Sequence, residues 1–149
     1  VGELETFVKD ANSWRGYSYL SEIKHLGSFE QKLNLLQPFY DRGERSFAFL
    51  IEFTGVLGQN GLHARVPSVI WQAETFMARE GSAPESFPWQ LLLHCSQAHL
   101  AMGEKKEALA CITRIEKHHS DLPDEVQEML LSLKKEINTN KGTENEKSN

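Results

Sequence analysis

Aspartate is scarce in this 149-residue chain, 4 residues against 17 glutamates, and valine plus isoleucine number 12 against 18 leucines. Aspartate competes with its own backbone for hydrogen bonds, and β-branched side chains lose rotamer freedom in a helix. Their shortage disfavours an all-β or α/β domain. Two cysteines make no disulfide framework in a chain of this length, which points to a reducing compartment. Apolar runs are short: Leu91–Leu93 is broken by His94 and Gln97, far below the ~18–20 residues of a membrane span. A basic face is missing too. The net charge is −5, and the densest cations, Lys105 and Lys106, stand between Glu104 and Glu107. Binding through nucleic-acid phosphates needs the reverse. No Ser, Cys or Thr has an evident base partner and no carboxylate pair lies in an apolar stretch, so the chain is not expected to be an enzyme.

What is present, 40% hydrophobic and 25% charged residues, is ordinary globular composition in a chain of about one domain. Apolar positions recur every three to four residues, the signature of amphipathic helices. Leu4, Phe7 and Val8 mark a short first helix, and Tyr17, Leu20, Ile23 and Leu26 a second over 14–26. Ser28-Phe29-Glu30-Gln31 has the form of a capping box and opens a third, with Phe29, Leu33, Leu36 and Phe39/Tyr40 on one side. Pro38 should kink it or end it early, with the stop at Asp41–Gly43. Glu44 to Leu57 carries Phe47, Leu50, Phe53, Thr54 and Leu57 in register, and Gly58–Gly61 is a turn. Pro67 suits the first turn of the next helix, which runs through Ile70, Ala73, Phe76 and Met77. Gly81 to Pro84 punctuates. Pro88 opens a helix to Met102, Gly103 closes it, and Glu104 to His119 forms its partner. Asp121–Asp124 starts a last helix with Val126, Met129, Leu130, Leu133 and Ile137.

Short connectors imply antiparallel neighbours. The expected fold is all-α: about seven helices in one domain over 1–138. Its hairpins lie at about 14–42, 44–80 and 86–119, with a capping helix at about 123–138. Residues 139–149, apolar-free from Lys141, are expected to form a disordered polar tail. Val1 in place of Met reads as the start of a fragment or processed chain, with any targeting signal upstream.

The hairpin from Trp89 to His119 reads Leu92, Cys95, Ser96, His99, Gly103, Ala108, Ile112, Ile115. This series resembles the tetratricopeptide repeat: apolar, apolar, small and large positions in the first helix, then a Gly turn, then a small residue and two apolar ones. His99 takes a slot that is usually aromatic. Leu50, Phe53, Thr54 and Leu57 repeat the first-helix series upstream. Met77-x3-Gly81-x2-Pro84 followed by Trp89–Leu93 is similar to the junction of pentatricopeptide repeats, which often bind single-stranded RNA. The resemblance implies a right-handed array of helical hairpins with a concave face lined by first helices. That face would present Ile51, Gly55 and Gly58 in one hairpin and Gln90, Leu93, Gln97, Leu100 and Ala101 in the next.

Chemistry is sparser. Cys95, His99, Cys111 and His118 raise a zinc site, and Cys95 and His99 stand one helical turn apart. In a hairpin turning at Gly103, however, residue 95 faces about 111 and residue 99 about 108, while His118 falls ~15 Å along the axis from His99. Four ligands cannot meet within ~2.0–2.3 Å of one ion. The expectation is two buried cysteines at a helix contact, and neither metal nor cofactor. His118-His119 suits a carbonyl-rich helix end, and Glu3/Glu5 and Glu125/Glu128 suit helix starts. Gly55-x2-Gly58-x2-Gly61 lacks the Lys-Ser/Thr of a phosphate loop and reads as helix stop plus turn. Trp14, Tyr17, Tyr19 and Phe29 read as buried packing, with Tyr19 the better surface candidate.

The functional expectation is an intracellular, cytoplasmic or nuclear scaffold or adaptor that binds a peptide or partner helix on its concave face. The alternatives are a pentatricopeptide-like RNA-binding module and a piece of a larger helical assembly. The uncharged face offers no Lys–Asn clamp for a chaperone C-terminal tail, and neither membrane nor nucleic acid is an expected partner. Glutamates at Leu93 and Leu100 should then abolish binding without unfolding the chain.

Overall fold

A computed structural model describes residues 28–148, with side chains over 28–139. The expected helices before Ser28, with Trp14, Tyr17, Tyr19 and Glu3/Glu5, lie outside the described residues. All regular structure described is helical: α1 (Phe29–Asp41), α2 (Phe47–Gln59), α3 (Arg65–Arg79), a 3₁₀ turn (Pro84–Ser86), α4 (Trp89–Ala101), α5 (Lys105–His118) and α6 (Asp124–Ser148). Six helices and no strand stand among the described residues. None is long and apolar enough to cross a membrane. The chain divides at Leu62/His63 into two compact units. The boundary falls between α2 and α3, inside the hairpin expected over 44–80.

In the first unit α1 pairs with α2. Ser28 caps α1 as expected: its hydroxyl accepts from Gln31 N at 3.2 Å, and Gln31 Oε1 accepts from Ser28 N at 2.8 Å. Pro38 does not shorten the helix, which continues to Asp41. The α2 start differs from Glu44 by three residues because Ser46 takes the cap, its hydroxyl accepting from Phe49 N at 3.4 Å. Glu44 instead accepts from Ser46 N at 3.0 Å, ahead of the helix. Phe49 and Val56 are buried beside the expected Leu50, Phe53, Thr54 and Leu57, so α2 is covered on more than one face. Thr54, 1% exposed, satisfies its hydroxyl on Leu50 O at 2.8 Å. Rings form the core: Phe53 stacks on Tyr40 at 4.8 Å and on Phe49 at 5.4 Å, and Phe39 meets Phe49 at 6.0 Å. Asn60 closes the pair by donating to Phe29 O at 2.9 Å. Phe29 itself is 46% exposed beneath Lys32 Nζ, not buried as its spacing suggested.

In the second unit each helix pairs with its neighbour in sequence: α3 with α4, α4 with α5, α5 with α6. Helical bundles and helical repeats share this pattern. Pro67 occupies the first turn of α3, where backbone N–H groups are free anyway. The buried face of α3 is Val66, Val69 and Ile70. Phe76, expected on that stripe, is 63% exposed. The Trp89–His119 hairpin is the closest pairing, and Ser96 and Ala108 show why. Both are fully buried, and Ser96 Oγ donates to Ala108 O at 2.9 Å across the two helices. A larger residue at either place would hold the backbones apart.

Gly103 ends α4 at φ +77. Its N–H donates to Leu100 O at 3.0 Å and Glu104 N–H to His99 O at 2.8 Å, the paired bonds of a Schellman stop. A Cβ at Gly103 would meet nothing within 4 Å, so only the left-handed backbone resists substitution. Gly103→Ala is expected to cost about 1 kcal/mol and lower the melting temperature by about 4–8 °C. Calorimetry checks this, and an unchanged melting temperature would deny the left-handed stop.

The last helix begins at Asp124, with Pro123 O accepting from Val126 and Gln127. Its backbone stays helical to Ser148, past the boundary at 138. The apolar face ends at Ile137, 1% exposed, and that is what the sequence pattern detects. Backbone hydrogen bonds carry the helix on without it.

Candidate functional site

The face expected to bind a partner is divided. Ile51 and Gly55 lie half-buried on α2 in the first unit; Gln90, Leu93, Gln97, Leu100 and Ala101 lie on α4 in the second. Gly58 is half-buried near the end of α2, and Gly61 follows that helix, so the glycine series forms a helix end and not a phosphate loop. On α4, Gln97 and Ala101 are exposed and Gln90 and Leu100 half-buried. Leu93 is 6% exposed and belongs to the core, which corrects its assignment to an open face. The physical reason is the number of neighbours around α4. Both α3 and α5 pack on it, and Met129 of α6 reaches Gln97, whose Nε2 lies 4.0 Å from the sulfur. Leu91, Leu92, Leu93, Cys95, Ser96 and Ala98 are all buried. Of the named α4 positions, Gln90, Gln97, Leu100 and Ala101 keep surface open to solvent.

The large exposed apolar side chains of the unit lie on α3, on α6 (Met129 and Leu131) and at Met102 after α4. Trp71 is 67% exposed and Phe76 63% exposed, both on α3. Sequence periodicity puts Phe76 inside and does not single out Trp71. Trp71 points away from the buried stripe of Val66, Val69 and Ile70, whereas Phe76 shares the face of Val69 but lies beyond the last buried residue, Ile70.

The second candidate is the polar knot at the α4–α5 contact. Cys95, His99 and Cys111 bring one sulfur or nitrogen each within 4.8 Å of one another. Both cysteines are 7% exposed. The positions explain the meeting: 95 and 99 are one turn apart on α4, and 111 stands opposite on α5. His118, at the far end of α5, is not among them, as the axial distance required. His119 caps α5, and its Nε2 is buried without a partner.

Local structure sets the state of each group. The Gly103 stop swings Glu104 back over α4, where its Oε1 lies 2.8 Å from His99 Nδ1. The two thiols are neighbours, and hydrogen bonding between them together with burial raises Cys95 well above the ordinary thiol range. Next to the thiols the Arg114 guanidinium holds Glu74 of α3 with a two-pronged ion pair, which raises Arg114 in turn. Arg114 favours the ionised form of both thiols, and Glu74 opposes it.

Against known proteins, the chain matches no family, no curated protein and no solved structure. The likeness to tetratricopeptide repeats therefore stands on residue series alone, that of the Leu92–Ile115 hairpin and its partial repeat at Leu50–Leu57.

Proposed function

We propose that the chain is a non-catalytic protein-interaction module, built as a right-handed, tetratricopeptide-like array, which takes a peptide or the apolar face of a partner helix. The observation that carries this reading is the exposure of Trp71 and Phe76 on α3. Tryptophan and phenylalanine are enriched where binding energy concentrates, and these two are the most exposed large apolar side chains among the described residues. The partner surface then lies on α3, with Gln97 and Ala101 of α4 outside it or at its edge.

A photoreactive residue at position 72, beside Trp71 and one turn before Phe76, identifies the partner by cross-linking mass spectrometry. Trp71→Ala with Phe76→Ala is expected to weaken that partner at least ~30-fold, the scale of a binding hot spot. The stability of the chain should shift by no more than about 0.5 kcal/mol, as for exposed sites. Unchanged affinity in the double variant contradicts the reading.

A further inference from the structure

We propose that Cys95, His99 and Cys111 form a binding site for one thiophilic divalent cation, with zinc as its natural occupant. The sequence argues against a metal because four ligands cannot meet. The structure removes His118 and leaves three ligands that do.

Four features carry the inference. All three ligands stand on helices, which a buried hydrogen bond from Ser96 to Ala108 joins, so the site is held by scaffold and not by loop. Around a tetrahedral zinc with bonds of ~2.0–2.3 Å, ligand atoms lie ~3.3–3.8 Å apart. The three atoms, all within 4.8 Å, need only small side-chain rotations to reach this. Glu104 Oε1 lies 2.8 Å from His99 Nδ1, and in the proposed site Nε2 is the nitrogen that binds the metal. Carboxylate, imidazole and metal in line is the usual outer arrangement of zinc sites. Finally, the charges balance. Two thiolates and a neutral imidazole cancel a divalent cation, so the filled site is neutral among buried neighbours, with Arg114 and Glu74 already paired.

Binding replaces two S–H bonds by two S–metal bonds and releases two protons to solvent. The imidazole gives up none. Water at the His99–Glu104 edge, where Glu104 is 47% exposed, completes four-coordination. Filled, the site clamps α4 to α5 and stabilises the second unit.

The test uses the full chain, reduced with a phosphine and stripped with a chelator. Titration with zinc should give one equivalent bound and two protons released, read from the buffer dependence of the heat. Cobalt should produce a thiolate-to-metal charge-transfer absorption. Cys111→Ser and His99→Gln should lose stoichiometric binding, Glu104→Gln should weaken it about 10–100-fold, and His118→Gln should leave it unchanged. Melting of each metal-free variant separates lost ligation from lost folding, and the wild-type cobalt spectrum depends on no variant. The proposal is overturned by absence of that absorption, by equal affinity in Cys111→Ser, or by a Cys95–Cys111 disulfide lacking two hydrogens in the protein incubated with zinc.

Discussion

Leu93→Glu unfolds the second unit. Leu93 is 6% exposed on a helix packed by α3 and α5, so the change removes a buried side chain at a cost of about 2–5 kcal/mol. It also places a carboxylate among packed side chains, and desolvating that charge adds to the cost. Domains of this size are stable by about 5–15 kcal/mol, so the expected loss consumes most or all of the fold. The control is Gln97→Glu, one turn further along and exposed, which should stay within about 0.5 kcal/mol of wild type. Circular dichroism during urea unfolding measures both. A folded Leu93→Glu chain would restore α4 as an open binding face.

Phe53→Ala carries the second large effect, in the first unit. Phe53 is fully buried and stacks on Tyr40 at 4.8 Å and Phe49 at 5.4 Å. Its removal is expected to cost about 3–5 kcal/mol from lost transfer energy and the cavity left behind. Aromatic contacts add about 0.5–1.5 kcal/mol each beyond the buried area. Phe53→Leu, which refills most of the volume, should cost much less. Segment-resolved hydrogen exchange over residues 47–59 reads the effect directly. Protection unchanged in Phe53→Ala would mean that the ring cluster does not hold α1 to α2.

The helices were legible in the sequence because their punctuation is chemical. Ser28 with Gln31, Pro67, Gly103 and Pro123 each mark a boundary by a hydrogen bond or a dihedral that only certain residues supply. The Ser96–Ala108 approach was legible for the same reason, since small residues at facing positions state a distance. Faces were read less well. Periodicity assumes that a helix has one wet side, and α4 has neighbours on several, so Leu93 was placed outside when it is inside. On α3 the opposite happened: Phe76 keeps helical register with Val69, yet burial on that helix ends at Ile70, before Phe76 is reached. Such facts belong to the packing of neighbours, which a single chain's pattern does not encode. The metal ligands were half legible. The spacing of 95 and 99 and the register to 111 follow from the hairpin, but Glu104 over His99 depends on the fold of the Gly103 turn.

Enclosure of α4 is the claim on which the placement of the binding face and of the Cys–His–Cys knot both depend. Amide hydrogen exchange by NMR tests it most directly, because an enclosed helix opens only when its unit unfolds. The account predicts that residues 93–98 are the slowest in the second unit, exchanging at its global unfolding free energy, and that residues 71–76 of α3 exchange faster. Amides of 93–98 exchanging as fast as those of 71–76 would contradict it.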